Sequence, residues 1–211
     1  MSKAMRSTWA RRTAALGAAG MVAASALVAT AGQATAATFI KAKYKVTGST
    51  FLAGPNASVR LGPGTLSAKV NVGTGNLKAT LSLPPATGSF KQGGVVPVTA
   101  TTKFINDGPT IGKVNVNTGA VRTTSKVILQ ITSLTVAGVP MQVGSRCETA
   151  SPVVVNLKSL KGFNPLNGGK VSGSYTIGKF SHCGLATLLI NQAVPASGNT
   201  ITLTLGKAKV G

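Results

Sequence analysis

Acidic residues are almost absent from this chain. Asp107 and Glu148 are the only two among 211 residues, against 22 lysine and arginine residues, so the formal net charge is +20. Glycosidases generally need two carboxylates that flank the bond they cleave. Asp107 lies in an Asn-Asp-Gly-Pro sequence, which is typical of a turn where aspartate bonds to nearby backbone. The composition therefore argues against glycoside hydrolysis.

Histidine is equally scarce, since His182 is the only one in the chain. A Ser-His-Asp arrangement would have to combine His182 with Asp107 or Glu148, and no Gly-x-Ser-x-Gly sequence accompanies it. A metal site would need more ligands than one histidine and two thiols readily provide. We therefore expect a protein that is not an enzyme, with no catalytic residue, no cofactor and no metal site.

Aromatic residues make up only 4% of the chain, and the single tryptophan is Trp9, near the N-terminus. Proteins that bind single-stranded nucleic acid stack the bases on exposed aromatic side chains. The six phenylalanines lie in patterns that predict packing in the core or beneath loops. No specific nucleic-acid partner is therefore expected, and a platform for stacking sugars is missing for the same reason.

The N-terminal segment has the pattern of a secretory signal peptide. Four basic residues precede an uncharged, alanine-rich run that ends near Ala31 and is followed by Ala34-Thr35-Ala36. This order predicts a signal peptide over 1–36, with cleavage after Ala36 or Ala37, and a single β domain over 37–211. A membrane anchor is the alternative reading of the run. General and twin-arginine export both stay open.

The two cysteines, Cys147 and Cys183, follow this export signal. In a secreted protein, two cysteines are expected to form one structural disulfide. The bridge would bring Glu148 close to His182. We expect a polar contact of Glu148 with His182 or Arg146 beside the bridge.

Apolar and polar residues alternate through most of the remaining chain, which is the period of a strand with one solvated face. Ala42, Tyr44 and Val46, for example, alternate with lysines. About ten such segments predict an all-β fold, an antiparallel β-sandwich with a closed β-barrel as the alternative. Only the segment near 185–193 has helical spacing, and it predicts one short helix.

One sequence segment occurs twice. Residues 69–80 align without gaps on residues 113–124, and seven of the twelve positions are identical. Both copies predict a β-hairpin, because each has a glycine-containing loop between alternating strands. A duplicated unit and convergence of similar hairpins both explain the likeness.

The basic residues are spread along the chain and are mostly lysines. Such a surface attracts polyanions with little geometric selectivity, because the lysine ammonium group is a hydrated point charge. An alternative is that the charge serves only solubility. The candidate contacts to an anionic polymer are basic residues on alternating strands: Lys41, Lys43, Lys45, Lys69, Lys78, Lys113, Arg122 and Lys126.

Several short sequences together resemble secreted β-rich proteins of actinobacteria that have no assigned function. They are the alanine-rich signal, the Leu-Pro-Pro sequence at residue 83, the Gly-Val-Pro turn, a Gly-x-x-Cys sequence, Gly-Gly-Lys-Val-Ser-Gly-Ser-Tyr-Thr-Ile and His-Cys-Gly-Leu. The resemblance covers most of the predicted mature chain. The resemblance implies a location outside the cell and a β-rich fold. It assigns no functional residue to this chain.

Three functions fit these observations. The first is a non-catalytic, strongly basic domain that associates with anionic cell-envelope polymers or a membrane surface, either secreted or bound to the cell wall. The second is an extracellular carrier of a lipid or another small apolar ligand inside a barrel. The third is an oligomeric pore. The oligomeric state is not indicated by the sequence.

Overall fold

The computed structural model describes residues 38–211. The predicted signal peptide and its cleavage site lie outside the described residues. Within them the backbone forms fourteen strands, ten of which have five residues or more. The strands are β1 (Phe39–Leu52), β2 (Ala57–Asn71), β3 (Asn76–Ser82), β4 (Ala86–Gln92), β5 (Val96–Asn106), β6 (Thr110–Val114), β7 (Val121–Val136), β8 (Val139–Met141), β9 (Glu148–Thr149), β10 (Val153–Ser159), β11 (Gly169–Ile177), β12 (Phe180–Ser181), β13 (Ala196–Leu205) and β14 (Lys209–Val210).

Eight strands close into an antiparallel barrel. Their order is β1-β2-β3-β6-β7-β10-β11-β13, and β13 pairs with β1 to complete the ring. The pairing of β7 with β10, over six residue pairs, joins the two halves of the sheet. The prediction of an all-β fold is confirmed. Of the two architectures considered, the chain adopts the closed barrel rather than the sandwich.

The long strand β7 belongs to two parts of the fold. Its first half pairs with β6 and β10 in the barrel wall, and its second half pairs with β5. Strand β4 then pairs with β5, and the short β8 pairs with the end of β7. Strands β4, β5 and β8 therefore extend the sheet beyond the barrel.

Two glycines permit close contact between neighbouring strands of the barrel. A Cβ atom at Gly112 would collide with the backbone oxygen of Arg122, and one at Gly173 would collide with that of Asn156. Glycine in a strand often marks such an approach of another backbone. These two positions let β6 and β11 approach the backbones of β7 and β10 closely.

The barrel interior is filled mainly by aliphatic side chains, with Val46, Leu61 and Leu203 almost completely buried. Two cavities of about 90 and 80 Å³ remain inside it. Tyr44 donates a hydrogen bond to the backbone oxygen of Pro165 at 2.7 Å, and the Tyr175 hydroxyl pairs with Thr50. Burial raises the pKa of both tyrosines above the ordinary value.

A second apolar cluster lies around the disulfide. Cys147 and Cys183 form the predicted bridge, at a sequence separation of 36, and both are fully buried. The two short strands β9 and β12 pair beside it. Glu148 accepts a hydrogen bond from Gln130 at 2.9 Å. The sequence predicts a contact of Glu148 with His182 or Arg146. Within residues 38–211 the bond of Glu148 is with Gln130, and the exposed His182 ring lies 3.0 Å from the Ser181 hydroxyl.

The predicted short helix is also present. A 3₁₀ turn over Gly184–Ala186 leads into α1 (Thr187–Ala193), whose buried residues include Ile190. The side chain of Asn191 holds this helix to the disulfide region, because it bonds both the backbone nitrogen and the backbone oxygen of Phe180. None of the helices in residues 38–211 combines the length and hydropathy that a membrane span requires.

The turn between β7 and β8 offers a test of local conformation. Ala137 and Gly138 both have positive φ, 49° and 81°. Such two-residue turns favour Asn-Gly, because a Cβ in the left-handed region costs alanine about 1 kcal/mol. We expect Ala137→Asn to raise the free energy of unfolding by about 1 kcal/mol in urea titrations. A decrease would contradict this description of the turn.

Candidate functional site

Basic side chains on the outer face of the barrel lie opposite one another on neighbouring strands. In the register of β1 and β2, Lys41 pairs with Lys69, and in that of β2 and β3, Lys69 pairs with Lys78. All three lysines are exposed. Directly opposed residues have Cβ atoms about 5 Å apart. Three positive charges therefore cross three adjacent strands in one row.

A second row crosses the next part of the barrel. Lys113 on β6 lies opposite Arg122 on β7, and Arg122 lies opposite Lys158 on β10. These three side chains are also exposed. The second row depends on closure of the barrel, because Lys158 reaches Arg122 only through the pairing of β7 with β10.

The two rows adjoin where β3 pairs with β6. Asn76 lies opposite Lys113 in that pair, which places Lys78, two residues further along β3, on the diagonal from Lys113. Diagonal neighbours of this kind are about 7–8 Å apart. We call the six residues Lys41, Lys69, Lys78, Lys113, Arg122 and Lys158 the cation band. It crosses six adjacent strands of the eight in the barrel wall.

Nothing in the barrel strands neutralises the cation band. The eight strands contain no aspartate or glutamate, because Asp107 lies between β5 and β6 and Glu148 lies on β9. Like charges directly opposite each other on a sheet are destabilising. One local contact offsets this cost in part, since the Lys69 ammonium lies 4.1 Å from the centre of the Phe39 ring. The arrangement thus costs stability in the free protein.

The repeated sequence folds into the same hairpin twice. In β2–β3 the side chain of Asn71 accepts a hydrogen bond from the backbone of Thr74, and in β6–β7 Asn115 accepts one from Thr118, both at 3.0 Å. The following glycines have φ of 69° and 71°. Asparagine stabilises a turn of this kind by bonding backbone two or three residues ahead.

Each copy of the hairpin carries an opposed cation pair at equivalent positions. Lys69 aligns with Lys113, and Lys78 aligns with Arg122. The first pair is opposed across β2 and β3, and the second across β6 and β7. An arrangement that lowers stability therefore occurs in both copies. The pairing of β3 with β6 places the two copies side by side.

Two grooves lie along the cation band on the outside of the barrel. The large groove has a volume of about 1260 Å³ and is lined by Lys78, Lys113, Arg122 and Lys158. The small groove, of about 610 Å³, is lined by Lys41, Lys43, Lys69, Lys78 and Lys209. Lys78 borders both, so the grooves meet at this residue. No aromatic side chain lines either groove in the described part of the chain.

Six of the eight basic residues predicted as contacts line these grooves. The other two, Lys45 and Lys126, are exposed but lie opposite Thr65 and Val154 rather than another cation. The sequence did not single out Lys158 or Lys209. The alternation in β10 shows that Lys158 points outward, but its position beside Arg122 depends on pairing between distant strands.

A cluster of side chains that binds a metal ion would be another kind of functional site. Among residues 38–211 no group of three or more histidine, cysteine, aspartate or glutamate side chains could hold a metal ion. Comparison with known proteins finds no matching family model, no similar curated protein and no similar solved structure. The cation band and its grooves are therefore the candidate functional site.

Proposed function

We propose that this protein binds an anionic polymer of the cell envelope along the cation band. The observation that carries the proposal is the opposed cation pair that occurs in both hairpins of the repeat. Bringing cations together costs stability, and an anionic ligand that spans the band offsets this cost. A surface that used lysine only for solubility would not need opposed positions.

A location outside the cell fits this function. The disulfide between Cys147 and Cys183 is compatible with an oxidising environment such as the cell exterior. The basic N-terminal segment followed by an alanine-rich run has the order of an export signal. We propose that the mature domain lies at the envelope, where anionic polymers are within reach.

The barrel interior favours this proposal over the two alternatives. Sites for drug-sized ligands have volumes of about 300–1,000 Å³, whereas the two cavities inside the barrel have about 90 and 80 Å³. A lipid carrier would need a larger chamber, and a pore would need an open, water-filled interior. The outer grooves, of about 1260 and 610 Å³, are much larger than these two cavities.

Titration with inorganic polyphosphate tests the proposal. If the six cations of the band contact the polymer, the logarithm of the binding constant should fall linearly with the logarithm of salt concentration. The slope should be about −4, since each contact with a single-stranded polyanion contributes about −0.7. Isothermal titration calorimetry at several sodium chloride concentrations gives this slope. Absence of binding at low salt, or a slope near zero, would refute the proposal.

A further inference from the structure

The large groove has a second wall of different chemistry. Beyond Lys158, the cross-strand row continues to Ser172 on β11 and then to Thr202 on β13. Ser174 and Thr200 form a second opposed pair on the same two strands, and all four residues line the groove. We call Ser172, Ser174, Thr200 and Thr202 the hydroxyl wall. One groove therefore has cations along one side and hydroxyl groups along the other.

The hydroxyl wall differs from other opposed hydroxyl pairs on the outer surface. On β4 and β5, Thr87 bonds Thr101 at 2.9 Å and Ser89 bonds Thr99 at 2.8 Å. The pairs in the groove are opposed in the same way, yet in residues 38–211 neither pair is joined by a side-chain hydrogen bond. A hydroxyl group has one donor and two acceptor positions. The donor and acceptor positions of the hydroxyl wall are therefore open to a ligand.

We infer that the ligand of the large groove is a flexible polymer in which phosphodiester groups alternate with hydroxylated units, such as a polyol phosphate chain. This inference rests on the proposed function and specifies its ligand class. Phosphates would lie against Lys113, Arg122 and Lys158, and the hydroxyl groups of the units would bond to the hydroxyl wall.

The five lysines of the cation band suit phosphate groups, which lysine binds as a point charge. Two further features favour this class over nucleic acid and inorganic polyphosphate. Nucleic acid would need aromatic platforms for its bases, and the groove has no aromatic lining in the described residues. Inorganic polyphosphate carries only acceptor oxygens along its chain, so it can accept hydrogen bonds from the hydroxyl wall but cannot donate any to it.

The test compares two polymers with one variant. In Ser172→Ala/Thr202→Val the hydroxyl wall loses one opposed pair, and neither replacement disfavours a strand strongly. We expect the variant to bind poly(glycerol phosphate) about 10-fold more weakly, because two hydrogen bonds are lost. Its affinity for inorganic polyphosphate of matched length should fall by less than about 3-fold, because the oxygens of that polymer accept hydrogen bonds from the wall but donate none to it. The matched control, Ser89→Ala/Thr99→Val, should leave both affinities unchanged.

The outcomes separate the inference from the proposed function. An equal loss of affinity for both polymers, or a loss for neither, would show that the hydroxyl wall does not recognise the hydroxylated units of the polymer. In either case the inference is wrong. The proposed function then still stands, provided that the wild-type protein binds polyphosphate with the expected salt dependence. If the wild-type protein binds neither polymer at low salt, both the inference and the proposed function are refuted.

Discussion

Replacing Lys69, Lys78, Lys113 and Arg122 by glutamine should weaken binding to inorganic polyphosphate by about 1000-fold at low salt. Each cation near an anionic surface contributes about 1 kcal/mol, so four contribute about 4 kcal/mol. The salt slope should also become shallower by about 3, because four contacts of about 0.7 each are lost. Calorimetric titration at several salt concentrations measures both quantities.

A control variant of equal charge shows whether position or total charge matters. Lys91, Lys103, Lys161 and Lys179 are exposed and line neither groove. Replacing these four by glutamine lowers the net charge by the same amount. We expect a change in affinity of less than about 10-fold, since only long-range attraction is reduced. Equal losses in the two variants would show that the cation band has no special role.

The stability of the variant in the cation band should not fall with its affinity for the polymer. The replacements remove four opposed cation pairs, which are Lys41–Lys69, Lys69–Lys78, Lys113–Arg122 and Arg122–Lys158. Repulsion of about 0.2–1 kcal/mol per pair is thereby relieved. The variant in the cation band should therefore be at least as stable as the wild-type protein at low salt. High salt should reduce the difference, because it screens exposed charges. A large loss of stability would instead mean that weaker binding reflects damage to the barrel.

Removing the disulfide should have the largest effect on stability. The bridge closes a loop with a sequence separation of 36 residues, for which the chain-entropy model gives about 3–4 kcal/mol. We expect Cys147→Ala/Cys183→Ala to lower the free energy of unfolding in urea by about this amount. Adding a reductant should lower the free energy of unfolding of the wild-type protein by a similar amount. The same reductant should leave the free energy of unfolding of the variant unchanged.

Polymer binding should survive loss of the disulfide wherever the protein stays folded. The cation band lies on barrel strands, whereas Cys147 and Cys183 flank β9 and β12 in the second apolar cluster. Affinity of the folded variant for polyphosphate should therefore match that of the wild-type protein. A folded variant that no longer binds would place part of the site in the disulfide region. A stability loss below about 1 kcal/mol would show that the bridge is not a major support.

Local pattern in the sequence predicts the strands and their faces. The alternation of Lys41 and Lys43 with Ala42 and Tyr44 shows which side chains face water, because a strand has a period of two residues. The one α-helix of residues 38–211 is visible from its different spacing. The disulfide follows from the presence of two cysteines behind an export signal.

Pairing between distant strands could not be read from the sequence. Closure of the barrel depends on the register of β7 against β10, and that register also brings Lys158 beside Arg122. Alternation fixes the face of each residue but not its neighbour on another strand. The sequence thus identifies most of the cations, while their arrangement in a band and the grooves along it emerge only from the closed sheet.

Lysine footprinting tests the central claim most directly. The protein is acetylated with and without bound polyphosphate, and mass spectrometry measures the modification of each lysine. Binding along the cation band predicts protection of Lys41, Lys69, Lys78, Lys113 and Lys158, while Lys91, Lys103, Lys161 and Lys179 keep their reactivity. Uniform protection of all lysines, or protection confined to those outside the cation band, would contradict the proposed site.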